Sequence, residues 1–163
     1  MRSGLVAALL LFVGCGSNSP TTPTAPSTQR PPSFPNMLGG WGGTLEATIS
    51  APVRSTATCN LTVLVTTQNA GEYSGSYQRS GVSNCTASAG TLTGTVNAQN
   101  QVAVRLTSTT GGNCSLRSGP GFYSGALSQA GTITAFMEAT YFCNTPVGSF
   151  EQRTTEAITL SRR

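Results

Sequence analysis

From Trp41 onward, apolar and polar residues alternate in short runs that are separated by turn residues. Side chains of an extended strand point alternately to opposite faces, so alternation of this kind predicts half-buried β-strands. The first run places Trp41, Gly43, Leu45, Ala47 and Ile49 on one face. Seven further runs are marked by Leu61, Val63 and Val65; Tyr73 and Tyr77; Leu92, Gly94 and Val96; Val102, Val104 and Leu106; residues 122–128; residues 133–142; and Phe150, Ile158 and Leu160.

The eight runs predict an all-β domain of antiparallel strands that follow one another in order. One apolar face per strand and short connections are typical of an eight-stranded up-and-down barrel, which leaves no free sheet edge. The interior of such a barrel is just wide enough to be filled by side chains or to hold one small ligand. A β-sandwich has the same periodicity and remains the alternative.

The start of the chain has the pattern of an export signal. Arg2 precedes an unbroken apolar run over residues 5–13, which is shorter than the about 20 residues that a membrane-spanning helix needs. The run ends in Phe-Val-Gly-Cys at residues 12–15, which resembles the lipobox of bacterial lipoproteins. The resemblance implies a signal peptide over residues 1–14, cleavage between Gly14 and Cys15, and a lipid on Cys15. The alternative is an ordinary signal peptide with a chance cysteine.

Residues 16–36 are rich in Ser, Thr and Pro and carry one charge. This composition cannot bury a core, so residues 15–36 are predicted to be a lipidated cysteine followed by a disordered linker, with the barrel over 37–163. In the lipoprotein pattern, Gly16 after the lipidated cysteine favours the outer membrane if the cell has one. The predicted location is therefore outside the cytoplasm, at the surface of a membrane.

Four cysteines remain after Cys15, and an even number in an exported domain indicates disulfides. Three pairings are open, and folding each hairpin about its turn favours Cys59 with Cys85 and Cys114 with Cys143. A zinc site would use closely spaced ligands, often with His. These cysteines are widely spaced and the chain has no His, so no metal is expected.

Charge and composition exclude several function classes. The formal charge is +4, but the arginines are scattered, whereas nucleic-acid binders gather them on one face. The chain lacks His, Asp and Lys, the usual general bases of catalysis. We therefore expect no nucleic-acid partner, no cofactor and no catalytic residues.

Strand parity sets Glu156 apart from the other carboxylates. It shares its face with the apolar residues of the last strand, and it could line a barrel cavity together with Gln152, Tyr73, Tyr77 and Tyr141. Alternatively, Glu156 lies solvated near the rim, or a bulge turns it outward.

The first strand opens with Gly39-Gly40-Trp41, which is similar to the Gly-x-Trp that opens the first strand of lipocalins and avidin-like barrels. The resemblance implies that Trp41 packs across one end of the barrel against an arginine of the last strand, either Arg162 or Arg163. The chain lacks the Thr-Asp-Tyr that lipocalins often carry. Without the resemblance, Trp41 is simply a core aromatic residue.

These observations predict a membrane-anchored lipoprotein whose barrel is a non-catalytic binding or envelope-surface module. The alternatives are a lipocalin-type carrier of a small apolar ligand, a module that binds an envelope protein, and an enzyme that depends on Glu156.

Overall fold

A computed structural model describes residues 33–109 and 113–163, and these residues form nine β-strands. The strands are β1 Gly39–Ala51, β2 Ser55–Asn69, β3 Glu72–Ser83, β4 Ser88–Val96, β5 Gln101–Ser108, β6 Cys114–Ser118, β7 Tyr123–Leu127, β8 Thr132–Thr145 and β9 Gly148–Arg162. None of the described residues belongs to a helix of the length and apolarity needed to span a bilayer. The predicted signal peptide, Cys15 and the linker up to residue 32 lie outside the described residues.

All strand pairs are antiparallel, and the sheet closes on itself through the pairing of β1 with β9. The order around the barrel is β1, β2, β3, β4, β5, β7, β8 and β9. The predicted eight-stranded up-and-down barrel is therefore confirmed for the described residues, and the sandwich alternative is excluded because the eight strands form one closed sheet rather than two packed sheets.

The ninth strand, β6, was not predicted. It pairs with residues 140–143 of β8, beyond residues 133–136 where β7 pairs with the same strand. Together β6 and β7 occupy one strand position of the barrel, with an interruption between them. The alternation of apolar residues does not reveal β6 because all of its side chains are exposed.

The inward face of each strand carries the core, as the alternation predicted. The largest fully buried side chains include Trp41, Leu45, Leu61, Leu92 and Ile158. Two tyrosines of β3 lie opposite glycines of β4, with Tyr73 paired to Gly94 and Tyr77 to Gly90. A Cβ atom at Gly94 would lie 2.4 Å from Cζ of Tyr73, so this glycine leaves the space that the ring occupies.

One end of the barrel, where β1 begins and β9 ends, is covered by residues 33–38, and we call it the closed end. Trp41 Nε1 donates a hydrogen bond to the carbonyl of Met37 at 2.9 Å, and Met37 is 1% exposed. The Gln68 side chain donates to the carbonyl of Pro35 and accepts from the amide of Met37, both at 2.7 Å. Residues 33–36 are thus ordered against the barrel although composition assigned them to the linker, because Gln68 and Arg162 bind their backbone.

Arg162 completes the closed end. Its Cζ atom lies 4.9 Å from the centre of the Trp41 ring. Its guanidinium also donates to the carbonyls of Leu38, at 3.2 Å, and Asn36. The neighbouring Arg163 lies instead over Gly42. Of the two arginines that the resemblance offered, Arg162 occupies the position against the tryptophan.

The opposite end, where β1 ends and β2 begins, is the open end, and both disulfides lie toward it. They join Cys59 to Cys85 and Cys114 to Cys143, which is the pairing that hairpin folding favoured. Cys59 and Cys143 are buried on long barrel strands. Each bridge therefore ties a less regular piece of the open end, the β3–β4 loop or the short strand β6, to the barrel wall.

Candidate functional site

The open end leads into a cavity of about 780 Å³. Its walls come from inward-facing positions of the barrel strands and from the β3–β4 loop. The apolar lining residues are Leu45, Ala47, Ile49, Ala57, Leu106 and Met137, and the polar ones include Tyr77, Arg79, Ser88, Ser108, Tyr123, Tyr141, Gln152, Thr154 and Glu156. The lining therefore combines apolar side chains with polar groups and two charged ones, Arg79 and Glu156.

Glu156 lies in this cavity and is half-buried. It stands on β9 opposite Ala47 of β1 and Met137 of β8, and the small Ala47 side chain leaves room beside it. Oη of Tyr123, a residue that is 5% exposed, donates a hydrogen bond to Oε2 of Glu156. No bulge displaces Glu156 from the inward face, so the alternative in which a bulge turns it outward does not hold.

The tyrosines around Glu156 are held in their neutral form. Burial raises the pKa of Tyr123 strongly, and the negative charge and hydrogen bond of Glu156 raise it further. Burial and the charge of Glu156 also raise the pKa of Tyr141, while Arg79 acts in the opposite direction. Both hydroxyls are therefore hydrogen-bonding groups rather than acids at neutral pH.

Arg79 brings a positive charge into the same cavity. It lies on β3, and its Nε donates to the carbonyl of Thr86 at 3.2 Å. Among the described residues the side-chain ion pair is between Arg117 and Glu151 on the outer surface, not between Arg79 and Glu156. The cavity thus contains one cation and one anion that do not form a salt bridge with each other.

The remaining polar groups of the cavity differ in how they are satisfied. Gln152 Nε2 donates to Oγ1 of the buried Thr154 at 3.3 Å. Oγ of Ser88 is buried and has no hydrogen-bond partner among the described residues. A buried hydroxyl without a partner is unusual in a folded protein.

Sequence reasoning placed most of these groups correctly. Glu156, Gln152, Tyr77 and Tyr141 all line the cavity. Tyr73 does not, because it lies nearer the closed end, where its ring crosses Gly94 and its hydroxyl donates to the carbonyl of Ala103 at 3.2 Å.

Two groups of the site, Arg79 and Tyr123, were missed. Arg79 follows Tyr77 by two positions and so shares its face, and Tyr123 has the parity of Gly125 and Leu127 on β7. The alternation therefore contained the signal for both. It was not used because Arg79 is charged and because the run over residues 122–128 was not divided into an inward and an outward face.

A second depression, of about 530 Å³, lies on the outside of strands β3 to β5. Exposed outward-facing residues such as Glu72, Thr93 and Arg105 contribute to its lining. In the open-end cavity, by contrast, side chains from several strands converge on one space inside the barrel. We therefore take that cavity as the candidate site.

The open-end cavity contains the carboxylate of Glu156, while Glu46, Glu72, Glu138 and Glu151 are exposed. Within the described ranges, no cluster of three or more His, Cys, Asp or Glu side chains could hold a metal ion. Neither a protein-family model nor a curated protein matches the chain.

Proposed function

We propose that this domain is a non-catalytic binding module that takes one small, largely apolar molecule into the open-end cavity. The observation that carries the proposal is the cavity of about 780 Å³ inside the barrel. Ligand sites typically measure about 300–1,000 Å³ and combine apolar walls with a few placed polar groups. The cavity has both properties. Leu45, Leu106 and Met137 supply apolar surface, and the charged groups of Glu156 and Arg79 can orient a bound molecule.

The construction of the barrel supports a preformed site. The lining residues are fixed on paired strands, and the Cys59–Cys85 disulfide attaches the β3–β4 loop to the wall beside the cavity. A ligand therefore enters without much ordering of the protein, which reduces the entropic cost of binding.

The proposal can be tested with phenylnaphthylamine, a neutral probe whose fluorescence rises in apolar surroundings. We expect saturable binding at one site per chain. Ala57→Phe places a ring in the cavity wall and should abolish binding, whereas Ala126→Phe adds the same ring at an exposed position of β7 and should not. Saturation that both variants leave unchanged, or no saturation by the parent protein, would refute a site in the barrel.

We further propose that Cys15 carries the lipid that holds this module on a membrane. The support is the sequence of residues 1–15, where an apolar run ends in Phe-Val-Gly-Cys. Two or more acyl chains give stable anchoring, at about 0.8 kcal/mol for each buried methylene. Mass spectrometry of the N-terminal peptide should find acylated Cys15, and Cys15→Ser should move the protein from the membrane to the soluble fraction. An unmodified cysteine would disprove the anchor.

A second candidate function is docking to an envelope protein through the rim of the open end. The observation that favours it is that three apolar side chains near the open end are exposed, Val53 at 74%, Val82 at 60% and Val147 at 97%. If a partner covers them, replacing all three by Ser should abolish a crosslink formed in intact cells. A crosslink that survives this replacement would assign the partner to another surface.

A further inference from the structure

The open-end cavity holds its two charges apart. Arg79 projects from β3 and Glu156 from β9, with β1 and β2 between these strands on the shorter way around the barrel. Each charge has one neutral hydrogen-bond partner, the carbonyl of Thr86 for Arg79 and the hydroxyl of Tyr123 for Glu156. Both lie close enough to Tyr141 to influence its hydroxyl, in opposite directions. The two charges therefore act on the same part of the cavity without an ion pair between them.

Among the described residues neither charge is paired with an opposite one, and a ligand can supply that partner. A charge that has lost part of its hydration is destabilised until an opposite charge or several hydrogen bonds compensate it. A ligand with a single charge would pair with one of the two side chains and bring a like charge close to the other. A ligand that carries both signs satisfies Arg79 and Glu156 together.

We propose that the cavity selects a zwitterionic small molecule with an apolar or aromatic body, whose ammonium group pairs with Glu156 and whose carboxylate pairs with Arg79. This inference rests on the proposed binding function and adds the class of ligand. Electrostatic complementarity of this kind sets specificity more than overall affinity.

The rest of the lining fits such a molecule. Tyr77, Tyr123 and Tyr141 contribute rings to the walls, and an ammonium group over an aromatic face gains a further cation–π attraction. The apolar body would lie against side chains such as Leu45 and Met137.

The test uses matched ligands that differ only in charge. Tryptophan is compared with tryptamine, indolepropionate and ethylindole, and ω-aminooctanoate with octylamine and octanoate, by calorimetry at low salt. The second set separates the two charges by a longer chain. In at least one set the zwitterion should bind about tenfold more tightly than either singly charged analogue, because it forms one more charge-assisted hydrogen bond with the protein.

Two variants assign the contacts. Glu156→Gln keeps an acceptor for Tyr123 and should weaken zwitterion and amine about tenfold, whereas the carboxylate analogue should bind at least as tightly as before because a like charge is removed. Arg79→Gln should weaken zwitterion and carboxylate, and for the same reason it should not weaken the amine. Glu138→Gln and Arg105→Gln remove exposed charges of the same sign from the outer face and should change nothing. Melting curves establish that each variant is folded.

The outcomes separate the inference from the function on which it rests. Phenylnaphthylamine binding that Ala57→Phe abolishes, together with zwitterions that bind no better than their analogues, overturns the zwitterion and keeps the binding module. Amines that bind more tightly than zwitterions also overturn it, in favour of a site for cations. If the neutral probe does not bind at all, the binding module itself fails.

Discussion

The two ends of the barrel are formed by the same strands but are held together by different interactions. At the closed end the chain folds back over the opening, and the contacts are an indole packed against a guanidinium and hydrogen bonds from Trp41, Gln68 and Arg162 to residues 35–38. At the open end no such segment covers the interior among the described residues. There the strands are joined by covalent bridges, Cys59–Cys85 and Cys114–Cys143.

The difference explains how one small barrel can have both a core and a cavity. A noncovalent cover needs interior side chains to pack against, and the closed end is filled by buried side chains such as Trp41 and Met37. A disulfide restricts the chain without filling space, so the open end can be held in shape while its interior stays accessible. We expect stability to be concentrated at the closed end and binding at the open end.

The largest expected effect separates the two ends by stability. Trp41→Ala removes a fully buried indole that is 1% exposed and should lower the free energy of unfolding by about 3–5 kcal/mol. Tyr141→Ala removes a half-buried ring of the open-end cavity and should cost about 1 kcal/mol. Urea denaturation followed by circular dichroism measures both.

The control for this pair is Leu64→Ala, at an outward position that is 50% exposed. It should change the free energy of unfolding by no more than about 0.5 kcal/mol. If Trp41→Ala proved no more destabilising than Tyr141→Ala, the stability of the barrel would not be concentrated at the closed end.

The second prediction concerns the covalent bridges of the open end. The paired change Cys59→Ala with Cys85→Ala opens a loop with a sequence separation of 26 residues, and the Cys114 and Cys143 pair one of 29 residues. Each should cost about 3 kcal/mol of unfolding free energy in urea. The folded variants should bind phenylnaphthylamine more weakly, while fluorescence from Trp41 at the closed end stays the same. A change in Trp41 emission without loss of binding would reverse the assignment of the two ends.

The contrast between the ends also shows how far the sequence could predict this structure. Alternation indicated the strands and their inward faces because the interior of a barrel tolerates few polar side chains, as at Leu61, Val63 and Val65. The disulfide pairing that hairpin folding favoured is the one found, although Cys114 and Cys143 lie opposite each other on β6 and β8, which are not consecutive strands.

What the sequence could not predict depends on contacts between distant residues. Residues 33–36 resemble a linker in composition. Their backbone is held on the barrel by hydrogen bonds from the side chains of Gln68 and Arg162. Alternation assigns a face but not a depth along the strand, which is why Tyr73 was grouped with the cavity. The hydrogen bond between Tyr123 and Glu156 joins positions 33 residues apart on strands that are not neighbours.

A third prediction uses alkaline pH to distinguish the tyrosines of the two regions. Burial raises the pKa of Tyr73, Tyr123 and Tyr141 above the ordinary value of 10.0. Above about pH 10 the unfolded chain releases these protons and the folded chain retains them, so stability is complete below that pH and falls as the pH rises further. Absorbance of tyrosinate should therefore appear together with unfolding.

The same titration separates the regions because Glu156 raises the pKa only of Tyr123 and Tyr141 within this set. Glu156→Gln removes the negative charge, so the alkaline loss of stability that Tyr123 and Tyr141 contribute should become smaller, and the part that Tyr73 contributes should not change. Titrations of single Tyr→Phe variants resolve the three. An equal shift for Tyr73 would mean that Glu156 acts through the whole fold rather than through the cavity.

The smallest expected effect compares two adjacent arginines at the closed end. Arg162→Gln removes the guanidinium over Trp41 and its bonds to Leu38 and Asn36, and should cost about 1 kcal/mol, since a cation–π contact at an exposed site is worth about 0.5–1 kcal/mol. Arg163→Gln removes the same charge one position later, where the side chain lies over Gly42, and should cost less than half as much. Because both variants lower the net charge equally, any difference in melting temperature reports the contact with Trp41 and the covering segment. The difference should persist at high salt, since hydrogen bonds to Leu38 and Asn36 are short-range and are screened little. Equal melting temperatures would show that residues 33–38 hold the closed end without Arg162.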